Sequence, residues 1–362
     1  MAIEIDGVLK EWGDRLYYLR TQARPPGRSI TGFRASPAVT RPPKEVAAAA
    51  VRAAIGRTVR RVPEVMVKIT RGRIDPSTGK PRLPCRDMRS IKKHFDYISR
   101  NGQVALEDER GDQILGKQAV KELCSDWQMG GVKAIPKDSG YRREAFNIIL
   151  SMPAGTDRAQ VKEAARAFAH EIFLNHQFVF AAHEDEDHPH VHLCVKAVSR
   201  DLVRLNPRKQ DLQCWRECFA EQLRQRGVEA NATPRTPRGQ VRKAQHQALR
   251  RIDREFQQKR RLASSRVTQK RREEILAAVD AGETSHPAEA RVSQRRAFVI
   301  QGFGEMARAL AASPEPLDRS LAVQIVEHVR QFPAPKTQNR IAIEAEQARG
   351  RGHGPSGPAR GR

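Results

Sequence analysis

Phe178–Val198 reads FVFAAHEDEDHPHVHLCVKAV, two apolar runs joined by a short acidic stretch that ends in His-Pro. The two runs predict antiparallel strands, and the EDEDHP segment predicts the turn between them. Four of the eleven histidines lie in this window, at positions 183, 188, 190 and 192. Side chains two apart on a strand leave from the same face, so His190 and His192 point to one side of a sheet. His183 closes the preceding strand, and the turn folds it back beside them. Three imidazoles from adjacent strands can converge on one ion, which makes His183, His190 and His192 candidate metal ligands. Neutral ligands leave the ion its full charge and open coordination positions, the conditions for Lewis-acid chemistry. Asp185 and Asp187 sit in the turn, where one can orient a ring N–H, and His188 reads as a turn or supporting residue. Polar rings at the head of a buried strand displace apolar ones that would pack better, which favours a functional reading. By themselves the histidines leave a hydrolytic zinc site open. A cupin-like oxygenase would require a Glu and a distant fourth His, and neither is suitably placed.

Outward from the hairpin, strands and helices alternate. Ala145–Met152 (AFNIILSM) predicts a buried strand. Thr156-Asp157 then caps a helix running to about Asn175, with Val161, Ala164, Ala165, Phe168 and Ile172 on one face. Further upstream, Val65–Ile69 predicts a strand. Asp87–Arg100 predicts a helix with Met88, Ile91, Phe95 and Ile98 at helical spacing, closed by Asn101-Gly102. Gln103–Glu107 predicts a short strand, and Lys117–Met129 a helix ended by Gly130-Gly131. Downstream, Arg208–Arg226 predicts an amphipathic helix ended by Gly227. The implied fold is α/β, a partly antiparallel central sheet flanked by helices, with a mainly helical C-terminal region.

Charge divides the chain differently. The 362 residues hold 66 Lys and Arg against 42 Asp and Glu, a net +24 that points to a polyanionic partner. Residues 62–230 carry only +4 of it; residues 1–61 carry +7 and residues 231–362 carry +13. The divisions that follow are a basic N-terminal arm over 1–61, a catalytic domain over 62–230, a basic helical region over 231–335 and a disordered tail over 336–362. In the arm, 21–43 is rich in Pro, Gly and Arg and predicts a loop, whereas Lys44–Arg61 predicts a helix. Beyond 230, residues 238–280 predict long charged helices, with two shorter ones over 291–312 and 317–331. No run has the length and apolarity of a membrane span, and the first ten residues lack the apolar core of a secretory signal. Five cysteines, an odd number with no CxxC, argue against a disulfide framework or a Cys-based zinc site.

Only four tyrosines occur, and Tyr97 stands in IKKHFDYISRNG beside Lys92, Lys93 and Arg100. Taken alone, a tyrosine on an amphipathic helix is most often a core residue. A phenol becomes a nucleophile when a neighbour takes its proton or cations stabilise the phenolate.

YISRNG, then MPAGTD before a helix, then HEDEDHPHVH, in that order, resemble the MobP-class conjugative relaxases, a family that includes the border-nicking endonucleases of T-DNA transfer. That family belongs to the histidine-hydrophobe-histidine (HUH) endonucleases. The resemblance covers roughly residues 62–230; the histidine motif is its most specific part, whereas the basic residues ahead of the first strand depart from the family pattern. It implies a palm-type sheet, Tyr97 as nucleophile, and His183, His190 and His192 around a divalent ion, Mg²⁺ or Mn²⁺. Asp185 is the candidate for orienting a ligand histidine or assisting proton removal from Tyr97, and Asp187 stands next in line. The implied reaction is strand-specific nicking of single-stranded DNA at an origin of transfer, through a 5′-phosphotyrosine intermediate, and religation after transfer. Lys92, Lys93 and Arg100 are expected DNA contacts near the nucleophile. Arg242, Lys243, Arg250 and Arg251, in the basic stretch 235–270, are expected to meet duplex phosphates. Implied partners are single-stranded and duplex DNA, relaxosome accessory proteins and a type IV secretion coupling protein, without membrane insertion. The implied place is the bacterial cytoplasm, with carriage to a recipient on the transferred strand. No GxxxxGK[ST] loop is present, so unwinding falls to another protein. Two alternatives share parts of this pattern: a replication initiator of the same superfamily, and a metal-dependent hydrolase with a basic tail in which Tyr97 is structural.

Overall fold

The structure is a computed structural model that describes residues 4–17, 48–70, 84–130, 133–138, 140–240, 247–282 and 288–351. It divides into two compact units, residues 13–233 and residues 1–12 with 234–362. In chain order α1 (Ile5–Tyr17) runs across the division, with only residues 13–17 in the larger unit, which also holds α2 (Ala48–Val59), β1 (Met66–Ile69), α3 (Met88–Ile98), β2 (Leu106–Asp108) and β3 (Gln113–Ile114). There follow α4 (Lys117–Met129), β4 (Ala145–Ser151), α5 (Arg158–Ile172), β5 (Phe178–His183), β6 (His190–Lys196) and α6 (Lys209–Arg224).

The strands form one six-stranded sheet in the order β1-β4-β6-β5-β2-β3. All five strand pairings are antiparallel, whereas the sequence predicts a partly antiparallel sheet. The reason lies in the β4-α5-β5 segment. Its pattern is that of a crossover between parallel neighbours, and β4 and β5 do run in the same direction, but β6 inserts between them and pairs antiparallel with both.

Alternation along β4, β5 and β6 gives the sheet two unlike faces. Phe146, Ile148, Leu150, Phe178, Phe180, Val191, Leu193 and Val195 pack on α5 and α6 through Val161, Phe168, Ile172, Trp215 and Phe219. On the other face Val179, Ala181 and Cys194 meet Ile91, Phe95 and Ile98 of α3 and Val120, Leu123 and Trp127 of α4. α2 is integral to this unit: Thr58 and Thr233 share a hydroxyl–hydroxyl bond of 2.9 Å, and Val65 N–H donates to the Asn231 carbonyl at 2.9 Å. The expected helix of the N-terminal arm thus corresponds to α2, within the larger unit.

The second unit is helical: α7 (Gln247–Gln257), α8 (Arg266–Asp280), α9 (Ala288–Ala311), α10 (Pro316–Arg330) and α11 (Gln338–Arg351). Val299, Phe303, Met306 and Leu310 of α9 and Ala322 and Ile325 of α10 are buried. Gly239, at φ +70°, lies under the Phe332 ring, where a Cβ would meet a ring carbon at 2.4 Å. Residues 338–351 fall in the stretch expected to be a disordered tail and instead form α11, which ties Arg340 to Glu289 at 2.7 Å. The expected loop over 21–43 lies outside the described residues. Among the described residues no helix is long and apolar enough to cross a membrane.

Candidate active site

α3 begins at Asp87, whose carboxylate accepts the Ser90 N–H at 2.8 Å while the Ser90 hydroxyl accepts the Asp87 N–H, a reciprocal cap. Met88, Ile91, Phe95 and Ile98 are buried, with the Phe95 ring edge-on to Trp127 at 4.9 Å. Tyr97 is left on the outer side of the last turn, 53 % exposed. The chain then passes through three left-handed residues, Arg100, Asn101 and Gly102, at φ +51°, +57° and +87°. Asn tolerates this conformation and Gly favours it. At Gly102 a Cβ would lie 2.6 Å from backbone atoms of Gly116 and Lys117, so glycine is required for space as well. This tight exit carries Arg100 back over the tyrosine, its guanidinium carbon 5.1 Å from the ring centre.

The hairpin delivers the histidines from the sheet. His183 pairs directly with His190 across β5 and β6, and His192 faces Ala181. Their rings lie 4.5 to 5.3 Å apart by centroid, and one nitrogen from each lies within 4.8 Å of the others. Tyr97 stands edge-on to His192 at 5.6 Å and to His183 at 6.2 Å.

The backbone decides which nitrogens are available. His183 Nε2 lies 2.7 Å from the Ile98 carbonyl, and His190 Nδ1 lies 3.0 Å from the His188 carbonyl. A carbonyl only accepts, so those atoms carry the protons and leave His183 Nδ1 and His190 Nε2 with lone pairs. Burial pushes His183 below the ordinary range and, joined by the fields of His183 and His190, pushes His192 down to about 3. Three imidazoles with converging ring nitrogens, two of them oriented by backbone carbonyls, fit a divalent ion. An ion at His183 would take the lone pair to which Arg100 donates at 3.2 Å.

Asp185 and Asp187 do not orient the rings among the described residues; backbone carbonyls do. Asp185 pairs with Arg100, and its carboxyl lies below the usual range, desolvation pushing it up but Arg100 outweighing that effect. Asp187 contributes its carbonyl to Arg158, and His188 acts through its carbonyl on His190. Lys92 and Lys93 are exposed on α3. Arg250 and Arg251 are exposed on α7 in the other unit, Arg251 paired with Glu255 at 2.9 Å, and Arg242 and Lys243 lie outside the described residues.

Two neighbours were not expected. His94 stacks on Tyr97 at 6.3 Å and meets His192 edge-on at 6.5 Å. Burial, then the field of His183, pushes it down to about 4. Its place three residues before Tyr97 on a helix was the available signal. Arg158, at the start of α5, donates to the carbonyls of His183 at 3.3 Å and of Glu186, pinning the acidic turn.

Residues 97–228 match the family model described as relaxase, MobA/VirD2-like, nuclease domain. That span is similar to a relaxase nuclease domain. The T-DNA border endonuclease VirD2 of Rhizobium radiobacter is 28 % identical over 200 residues, 50 % of this chain and 46 % of that protein. The proteins of the same name from Rhizobium rhizogenes and Agrobacterium fabrum are 28 % and 27 % identical over 183 residues, 46 % of this chain and 41 % and 40 % of theirs. The match thus spans less than half the length of these relatives. The family start at position 97 coincides with the exposed tyrosine, and the matched span includes all three clustered histidines.

Proposed function

We propose that the chain is a conjugative DNA relaxase that nicks one strand at an origin of transfer. The observation that carries this reading is the exposed Tyr97 phenol beside three clustered imidazoles, two of them oriented by backbone carbonyls, in a span that matches the nuclease-domain model of that family. A divalent ion such as Mg²⁺ or Mn²⁺ held by His183, His190 and His192 supplies Lewis acidity toward the scissile phosphate. Tyr97 attacks in line: its oxygen forms the new bond to phosphorus, the bond to the 3′ oxygen breaks, and the strand's 5′ phosphate stays on the tyrosine. The bond energy is retained, so a free 3′ hydroxyl can reverse the step and rejoin the strand. Arg100 lies above the ring, where its charge can meet a phosphate presented to Tyr97; Asp185 positions Arg100 and is the candidate for assisting proton removal, with Asp187 behind it.

The basic residues of the other unit, Arg250 and Arg251 with Arg242 and Lys243, are proposed to hold flanking duplex, giving an affinity that falls steeply with salt. Accessory proteins and a secretion coupling protein complete the proposed partners, and the bacterial cytoplasm is the proposed site of nicking, with carriage to a recipient.

Incubation with a pool of single-stranded oligonucleotides and Mg²⁺ is expected to yield a covalent adduct that Tyr97→Phe abolishes and chelator prevents. Undiminished adduct in Tyr97→Phe would move the nucleophile elsewhere, and full activity in chelator would defeat the metal reading. A metal-dependent hydrolase would cleave without any adduct.

A further inference from the structure

We propose that the outer face of α3 and the ring of Tyr141 form a platform for single-stranded DNA that leads to Tyr97. The inference rests on the reading of Tyr97 as nucleophile and specifies how the strand reaches it.

Arg89, Lys93 and Tyr97 are exposed at spacings of four residues, one row along the side of α3 opposite its buried face. Neither Arg89 nor Lys93 makes an ion pair among the described residues, so both charges are available to phosphates. From Arg89 to Tyr97 the helix rises about 12 Å, roughly three to four stacked nucleotides at about 3.4 Å each. A phosphate presented to Tyr97 therefore places its neighbours against Lys93 and Arg89.

At the N-terminal end of the same helix, residues 136, 137, 140 and 144 are held against the start of α3 and the residues just before it. Met88 N–H donates to the Pro136 carbonyl at 2.8 Å, Arg89 N–H to Lys137 at 3.1 Å, and Glu144 N–H to Cys85 at 2.7 Å. Gly140 presses so closely on the Arg86 carbonyl that a Cβ there would approach it to 1.8 Å. The next residue, Tyr141, is 94 % exposed. A large aromatic ring held beside a fixed backbone, uncovered and next to Arg142, buries little surface in the fold. It has the attributes of a base-stacking surface, as in grooves that pair cations with aromatic rings to hold single strands.

Anisotropy of a labelled pool of random single-stranded oligonucleotides, read with the full chain in chelator, tests the platform. Tyr141→Ala is expected to bind about 5- to 150-fold more weakly, and Tyr141→Phe to bind like the wild type. Arg89→Ala with Lys93→Ala should lower the slope of log affinity against log salt by about 1.4. Wild-type affinity in a folded Tyr141→Ala protein, or a Tyr141→Phe defect as deep as that of Ala, would overturn the stacking role. If the wild type still forms its Tyr97 adduct in that case, only the platform fails; if it neither binds single strands nor forms adduct, both readings fall.

Discussion

On the sheet face that meets α5 and α6, β4, β5 and β6 present Phe146, Ile148, Leu150, Phe178, Phe180, Leu193 and Val195, all buried. On the face that meets α3 and α4, the same three strands carry Asn147, Ser151, His183, His190, His192 and Lys196. Because side chains alternate, each strand supplies both surfaces, and a polar choice on one need not weaken packing on the other. Most polar groups of the second face are answered within the fold. Asn147 accepts from the thiols of Cys85 at 3.1 Å and Cys194 at 3.4 Å, and the Lys196 ammonium donates to Trp127, Gly130 and Gln177 at 2.8 to 3.1 Å. The histidines differ in gathering one ring nitrogen each within 4.8 Å of the others. One face is thus devoted to stability; the other leaves a chemical capacity unspent at its end.

That contrast can be broken by paired substitutions. His192→Ala is expected to lower metal-dependent nicking by about 1,000-fold or more, the several kcal/mol ascribed to Lewis-acid charge stabilisation. Metal binding by calorimetry should fall with it, while the melting temperature stays near wild type because no apolar packing is lost. Phe180→Ala, on the opposite face, is expected to cost about 3–5 kcal/mol of stability in urea titrations. The remaining folded protein should form adduct at close to the normal rate. Collapse of the fold in His192→Ala, or unchanged stability in Phe180→Ala, would erase the distinction between the faces.

Much of this arrangement was legible in the sequence, for identifiable reasons. HPHVH places two rings on one face by period alone, and the acidic turn before it makes His183 their neighbour; the register His183 to His190 follows from that geometry. α4 runs over Lys117–Met129 as the spacing of Val120, Leu123, Cys124 and Trp127 requires. The insertion of β6 between β4 and β5 was not legible, since pairing partners are chosen by tertiary packing. α1 was missed although Ile5, Val8, Leu9, Trp12 and Leu16 recur at helical spacing, because Gly7 and Gly13 lower the local helix preference. The carbonyls that orient His183 and His190 belong to the backbone and leave no mark in residue types, so the turn carboxylates looked like the natural partners.

The smallest effects distinguish the two sides through pH, with opposite signs. On α6, burial raises Glu217 to about 7 from an ordinary 4.5, against the opposing bond from Gln213 and the fields of Arg216 and Arg224. Its folded pKa lies above the unfolded one, so its contribution is whole below about pH 4.5 and is lost as pH rises through 7. On α3, burial and the field of His183 lower His94 to about 4 from 6.5. There the unfolded chain takes a proton that the folded one refuses, so stability is whole above about pH 6.5 and is lost as pH falls toward 4. Urea midpoints measured in chelator from pH 4 to 8 read both. Relative to wild type, Glu217→Gln should gain up to about 3 kcal/mol on going from pH 4.5 to 7. His94→Gln should gain instead as pH drops below 6.5. Midpoint profiles parallel to wild type in both variants would mean that neither group titrates differently on folding, and that burial on the two sides of the sheet is less complete than the packing implies.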